Sequence, residues 1–209
     1  IGGAGMSGLA LVARALGARV TGSDRAESSY CGPLRAAGIE PSIGHDAPNL
    51  PPEAEIVVST AIPEDNPELA AGRAAGAAVL HRGDLLGELS RMKRTIAVGG
   101  THGKTTTSSM VTLALLAAGR EPAFLVGGEL RAAGTNAAWG AGEWAVIEAD
   151  DTFRQRIAAG AVPELVDPVG MLWLQRPPGW EADVRNLLDA RTADEDEAEN
   201  DQQQAAYVE

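Results

Sequence analysis

Ile96-Ala97-Val98-Gly99-Gly100-Thr101-His102-Gly103-Lys104-Thr105-Thr106-Thr107 is the stretch on which the reading of the fold turns. A short apolar run ends in two glycines, and a Gly-Lys-Thr triplet opens a helix-compatible segment from Thr106 to Leu116. This is the pattern of a phosphate-binding loop at a strand-to-helix turn. Glycines let the backbone curl so that consecutive N–H groups face an anion. The helix adds its unpaired first-turn donors and the positive end of its dipole. Lys104 then reaches the β- and γ-phosphates as a point charge, and the Thr105 hydroxyl takes a position on Mg²⁺. Two residues separate Gly100 from Gly103, where the commonest form of this loop has four.

The competing reading is a glycine-rich turn with a chance lysine. Of the 17 basic residues only Lys93 and Lys104 are lysine, so a lysine just after the loop glycine is not an expected accident. His102 sits among backbone donors rather than beside a partner acid, which argues against a general base.

The chain has 209 residues, enough for one or two domains with a real core. A single cysteine, Cys31, excludes a disulfide framework and fits a reducing cytoplasm. No apolar run approaches the about 18 residues of a membrane helix, and no signal peptide opens the chain. The formal charge of −12 argues against a nucleic-acid surface. Residues 1–150 carry 16 acids and 12 bases, whereas 151–209 carry 13 acids and 5 bases. The tail is therefore a different kind of sequence.

Upstream of the phosphate loop, Gly3, Gly5 and Gly8 spell G-x-G-x-x-G. A helical pattern through Leu9, Leu11, Val12 and Leu16 follows, then a strand at Arg19–Gly22 with Ser23 and Asp24 at its carboxyl end. Glycine loop, helix, strand and acid make a Rossmann-type unit. Taken by itself it nominates NAD, with Asp24 on the ribose hydroxyls; a tight turn without a ligand is the structural alternative. Only Ile1 remains of a preceding strand and there is no initiator methionine, so the expectation is a fragment cut inside its first strand. Loss of that central strand leaves two neighbours with unpaired edges.

Further α/β units are expected. Pro33–Ala37 reads as a short helix and Glu55–Ser59 as a buried strand. Asn66 and Pro67 read as cap and first residue of a helix through Ala71. Ala78–His81 reads as a strand, and Gly83–Met92 as an amphipathic helix with Leu85, Leu86 and Leu89 inward. Beyond the phosphate loop come a strand at Ala123–Val126, a glycine-rich loop through Gly134-Thr135-Asn136, and a buried strand at Trp144–Ile147 ending in Glu148-Ala149-Asp150. Acids at that strand end suit a Mg²⁺ site, with solvated surface charge as the competing reading. The alternation predicts a parallel sheet covered by helices. After Asp150 the order dissolves: Val162–Leu174 is apolar but interrupted by Pro163 and Pro168, Pro177-Pro178-Gly179 is a turn, and Ala182–Ala190 reads as one short helix. Thr192–Gln204 reads as disordered.

These motifs together resemble the Mur ligase family of peptidoglycan synthesis, and within it the enzymes that act on UDP-N-acetylmuramate and L-alanine. The resemblance rests on Ile1–Gly8, on Val58-Ser59-Thr60-Ala61-Ile62 with Asp65-Asn66-Pro67-Glu68, and on Gly100–Thr107 with its short glycine spacing. Gly134-Thr135-Asn136-Ala137 and Glu148-Ala149-Asp150 complete the series, in the family's order over residues 1 to about 150.

The resemblance implies an α/β fold. A Rossmann-like parallel-sheet domain for the UDP-sugar spans 1–93, an incomplete P-loop ATPase domain 94–151, and an irregular acidic tail 152–209. It implies that Gly3, Ala4, Gly5, Met6, Ser7, Ser23, Asp24, Ser59, Thr60, Ala61 and Ile62 hold the UDP-sugar rather than NAD. Asn136 faces the junction with ATP. Gly100, Thr101, His102, Gly103, Lys104, Thr105 and Thr106 hold ATP, Lys104 is the catalytic candidate, and Thr105 with Glu148 holds Mg²⁺. The implied reaction is ATP-dependent joining of L-alanine to UDP-N-acetylmuramate through an acyl phosphate, in the cytoplasm, with no nucleic acid and no membrane segment.

The chain departs from the family where the acidic motif should continue with a further Glu, Ser and Asp, and then an Asn and an Asp-His pair near the metal. Here Asp151-Thr152-Phe153-Arg154 follows, and all three histidines (His45, His81 and His102) precede residue 103. The expectation is a truncated chain without catalytic competence. A non-catalytic nucleotide-binding remnant and an NAD(P)-dependent oxidoreductase are the alternatives.

Overall fold

The computed structural model describes residues 1–59, 61–99, 102–148 and the backbone of 171–175. Within the compact unit Ile1–Arg176, the described strands form two sheets. Residues expected to form the turn at 177–179, the helix at 182–190 and the disordered segment at 192–204 lie outside the described residues, as do Thr60, Gly100, Thr101, Ala149 and Asp150.

The first sheet receives its elements in α/β order. Helix α1 (Ala4–Ala15) follows Gly3, and Gly17 at φ 92° ends it in a left-handed turn that suits glycine. Strand β1 (Arg19–Asp24), helix α2 (Cys31–Ala36) and the two-residue strand β2 (Ser42–Ile43) come next. Strand β3 (Glu55–Val58) leads to helix α3 (Pro67–Ala74), where the Asn66 side chain accepts from the N–H groups of Glu68 and Leu69 at 2.9 and 3.1 Å. That cap with Pro67 behind it is the start signal read in the sequence. Strand β4 (Val79–His81) runs into helix α4 (Arg82–Arg91), which buries Leu85, Leu86 and Leu89. Ala54, Ile56, Ile62 and Leu69 make a core cluster under β3 and α3.

Strand β5 (Arg94–Val98), helix α5 (Lys104–Ala117), strands β6 (Ala123–Leu130) and β7 (Thr135–Ala138), and strand β8 (Trp144–Glu148) build the second sheet, ordered β5-β8-β6-β7. The pairs β5–β8 and β8–β6 are parallel, and Phe124, Val126, Leu130 and Val146 form its core.

Three expectations are corrected. The sheets are mixed rather than parallel throughout: β7 pairs antiparallel with β6, because the segment read as a glycine loop folds back after Gly134 at φ 64°. The tail is not irregular throughout, since strand β9 (Met171–Gln175) lies within the first sheet, ordered β2-β1-β9-β3-β4. And β1 and β3 do not face each other as unpaired edges. Strand β9 runs antiparallel to both, with Leu172 opposite Gly22 on one side and Val57 on the other.

Helix α1 packs on β1 and also on β6 and β7 of the second sheet. Gly8 makes this possible: a Cβ there would stand 3.2 Å from Ala137 Cβ and 3.4 Å from Asn136 Nδ2. The glycine loop is thereby brought against the strand carrying Asn136.

Candidate functional site

The phosphate loop leaves β5 and enters α5 through Gly103, which sits at φ 77° and is the residue before the first helical turn. A left-handed conformation there costs a side-chain-bearing residue about 1 kcal/mol. It turns the chain so that α5 opens on Lys104 and Thr105, with His102 exposed. Thr106 is exposed as well.

Thr105 Oγ1 donates to Glu148 Oε1 at 2.8 Å. Two oxygens in neighbouring octahedral positions at magnesium distances stand roughly 2.9 Å apart, so this hydroxyl–carboxylate pair has the spacing and hard-donor chemistry that the ion requires. The other carboxylate oxygen accepts from Gly127 N–H at 2.7 Å, which fixes the carboxylate plane. A Cβ at Gly127 would come within 2.7 Å of Glu148 Oε2, so a side chain there would shift the carboxylate. Among the described residues no group of three His, Cys, Asp or Glu side chains gathers for a metal. Further ligands would then be water and phosphate, the usual habit of Mg²⁺.

At the other glycine loop, Gly3 precedes α1 in an extended conformation and no side chain caps the helix. The first-turn N–H groups of Ala4, Gly5 and Met6 have no partner within the helix, an arrangement suited to a diphosphate. Met6 and Ser7 are buried, so their side chains support the loop from beneath. Ser7 Oγ donates to the Ala4 carbonyl at 3.1 Å.

Asn136, 1% exposed, ties the two halves together: its Nδ2 donates to the Ala4 carbonyl at 2.7 Å and to Ser7 Oγ at 3.3 Å. Its Oδ1 is buried without a protein partner.

Asp24 and Ser23 are placed away from open solvent. The Asp24 carboxylate accepts from Gly2 N–H at 2.7 Å and so anchors the start of the glycine loop. Ser23 Oγ donates to Glu68 Oε2 at 2.6 Å and lies 2.7 Å from His45 Nδ1. Glu68, fully buried, also accepts from Asn49 Nδ2 at 2.7 Å and from Asp46 N–H at 3.2 Å. Ser59 is buried at the end of β3, Ala61 is half-buried, and Ile62 belongs to the core cluster.

A cavity of about 280 Å³ lies among these elements. Gly5 and Gly8 line it from α1, Arg82 and Leu86 from α4, and Gly127 and Glu148 from the second sheet. Sequence reasoning had not singled out Arg82, Gly127, His45 or Asn49 as site residues. Glu68 stood inside a quoted motif without a role. Arg82 and Leu86 are four apart on one helix, so a shared face was the available signal.

Fold and site define an α/β protein in which glycine loops precede helices α1 and α5. Residues 1–94 match the family described as "Mur ligase family, catalytic domain". The chain is 53% identical over 171 residues to the UDP-N-acetylmuramate–L-alanine ligase of Sinorhizobium medicae, and 48% identical to that of Acidiphilium cryptum. Each match covers 80% of this chain, farther than the motif series that ends at Asp150. Among solved structures, UDP-N-acetylmuramate–alanine ligase from Thermotoga maritima superimposes with a TM-score of 0.69 at 33% identity, over 73% of this chain and 36% of its own. The UDP-N-acetylmuramate:L-alanyl-γ-D-glutamyl-meso-diaminopimelate ligase from Neisseria meningitides gives 0.64 at 29% identity, covering 73% of this chain and 51% of its own. This chain belongs to the Mur ligase family. It spans 36% of the length of the curated relatives it matches, about a third. No helix among its described residues is long and apolar enough to cross a membrane.

Proposed function

We propose that this chain carries the UDP-sugar site and part of the ATP site of a ligase that joins L-alanine to UDP-N-acetylmuramate in peptidoglycan precursor synthesis. The observation that carries the reading is the cavity with the α1 glycine loop on one wall and Glu148, partner of Thr105, on another. A substrate held by its diphosphate on α1 would extend its sugar toward the phosphate loop.

In the proposed reaction a carboxylate oxygen of the muramyl group attacks the γ-phosphorus of ATP, and ADP leaves. The L-alanine amine then attacks the acyl carbon, sheds a proton, and phosphate departs. Bringing a carboxylate to a triphosphate opposes like charges, and the residues answer that problem. Lys104 and the loop N–H groups offset the charge on the phosphates without reorganising during the reaction. Thr105 and Glu148 would hold the magnesium ion, which when bound would supply further charge neutralisation at the phosphates. Asn136 keeps the α1 loop registered to the second sheet, and positioning of this kind accounts for much of the rate in a bimolecular step.

A polypeptide of these 209 residues corresponds to about a third of its curated relatives. Our reading is that these residues supply the nucleotide-binding part of the reaction.

Calorimetry tests the reading with UDP-N-acetylmuramate, NAD and Mg²⁺–ATP as separate titrants. We expect the UDP-sugar and ATP to bind and NAD not to compete. Tighter binding of NAD than of the UDP-sugar overturns the assignment.

A further inference from the structure

We propose that Arg82 recognises the carboxylate of the sugar substituent, and so selects a carboxylate-bearing UDP-sugar over its neutral counterpart. This rests on the UDP-sugar reading above. Three observations lead to it. First, Arg82 and Glu148 are the charged side chains that line the 280 Å³ cavity among the described residues. Glu148 is held on one side by Thr105 Oγ1 at 2.8 Å and Gly127 N–H at 2.7 Å, so its charge is fixed in place. An anionic group entering so small a space is opposed by that carboxylate, and a cation in the same lining offsets the opposition.

Second, Arg82 projects from a backbone that is itself fixed. It is the first residue of α4, whose capping box joins His81 N–H to Asp84 Oδ2 at 3.1 Å and Gly83 N–H to His81 Nδ1 at 3.3 Å. Third, Leu86, one turn on, lines the same cavity and is buried in the packing of α4. The guanidinium is thus presented from a rigid helix face, and a planar fork of donors matches a carboxylate in two-point fashion. The other cavity walls supply glycine backbone and aliphatic side chains, which do not distinguish a carboxylate from a neutral group.

The test uses the 209-residue chain and three ligands: UDP-N-acetylmuramate, its carboxamide analogue and UDP-N-acetylglucosamine. With the natural chain we expect the carboxylate ligand to bind at least about 10-fold more tightly than the carboxamide, on the scale of one charge-assisted hydrogen-bonded pair. Arg82→Met should bring the two within 2-fold of each other while leaving UDP-N-acetylglucosamine unchanged. Arg82→Lys, which keeps the charge and loses the fork, should retain part of the preference. The inference is overturned if Arg82→Met keeps the full preference, or if it weakens all three ligands equally. The carboxamide comparison in the unmutated chain needs no folded variant. Equal binding of carboxylate and carboxamide there sinks the inference while the UDP-sugar reading stands. Failure of all three ligands to bind removes both.

Discussion

Asn136 Nδ2 donates to the carbonyl of Ala4 at 2.7 Å, a contact that spans 132 positions of sequence and joins the strand after Gly134 to the first turn of α1. Its donation to Ser7 Oγ adds a second buried contact on the same helix. Replacing Asn136 by Leu should destabilise the protein by about 1–3 kcal/mol, the range for stranding buried hydrogen-bonding groups. Asn136→Asp should be no better, because a carboxylate offers no donor to the Ala4 carbonyl. Urea denaturation checks this, and a change under about 0.5 kcal/mol for the leucine variant would remove Asn136 as the tie between the two sheets.

The Thr105–Glu148 pair makes a magnesium prediction. Glu148→Gln should weaken Mg²⁺–ATP binding by an order of magnitude or more, while leaving binding of Mg²⁺-free ATP within about 2-fold. Thr105→Val should behave alike and Thr105→Ser should retain affinity. Gly127→Ala belongs to the same series, since its Cβ would press on Glu148 Oε2 at 2.7 Å and displace the carboxylate. Equal losses with and without Mg²⁺ would show that the pair serves the fold rather than the ion.

Glu68 supports the first sheet from inside. It is fully buried and accepts from Ser23, Asn49 and the Asp46 backbone. Glu68→Leu should cost about 3–5 kcal/mol, because three donors lose a charged acceptor at once. Glu68→Gln keeps one oxygen and should cost less. A thermal melt in which the leucine variant matches the natural chain would rule the cluster out as a stabilising element.

Much of this arrangement was legible in the sequence. The helices at α1, α3, α4 and α5 announced themselves by glycine turns, by the Asn66-Pro67 cap and by the spacing of Leu85, Leu86 and Leu89. The strands β3, β5 and β8 were apolar runs next to turn signals. Strand β7 was hidden because Thr135–Ala138 has no apolar alternation; its conformation comes from pairing with β6. The role of Glu68 was hidden for a similar reason: its partners Ser23 and Asn49 lie 45 and 19 positions away. The cavity required three elements to converge, and no local pattern encodes that Arg82 and Glu148 line one cavity.

Strand β9 carries the last prediction. Met171–Gln175 was read as part of an apolar but interrupted segment, and its extended state depends on two partners about 150 and 115 positions upstream. Lying between β1 and β3, each of its residues directs backbone groups to one neighbour or the other. A proline there removes a ladder N–H and intrudes on the adjacent strand, at a cost of about 3 kcal/mol or more. Leu172, opposite both Gly22 and Val57, is the position of choice. Leu172→Pro should lower the denaturation midpoint and raise amide exchange in segments 19–24 and 55–58. Exchange in β5 and β8, which pair with each other in the second sheet, should change far less. If segments 19–24 and 55–58 keep their protection in Leu172→Pro, β9 does not stand between them in solution.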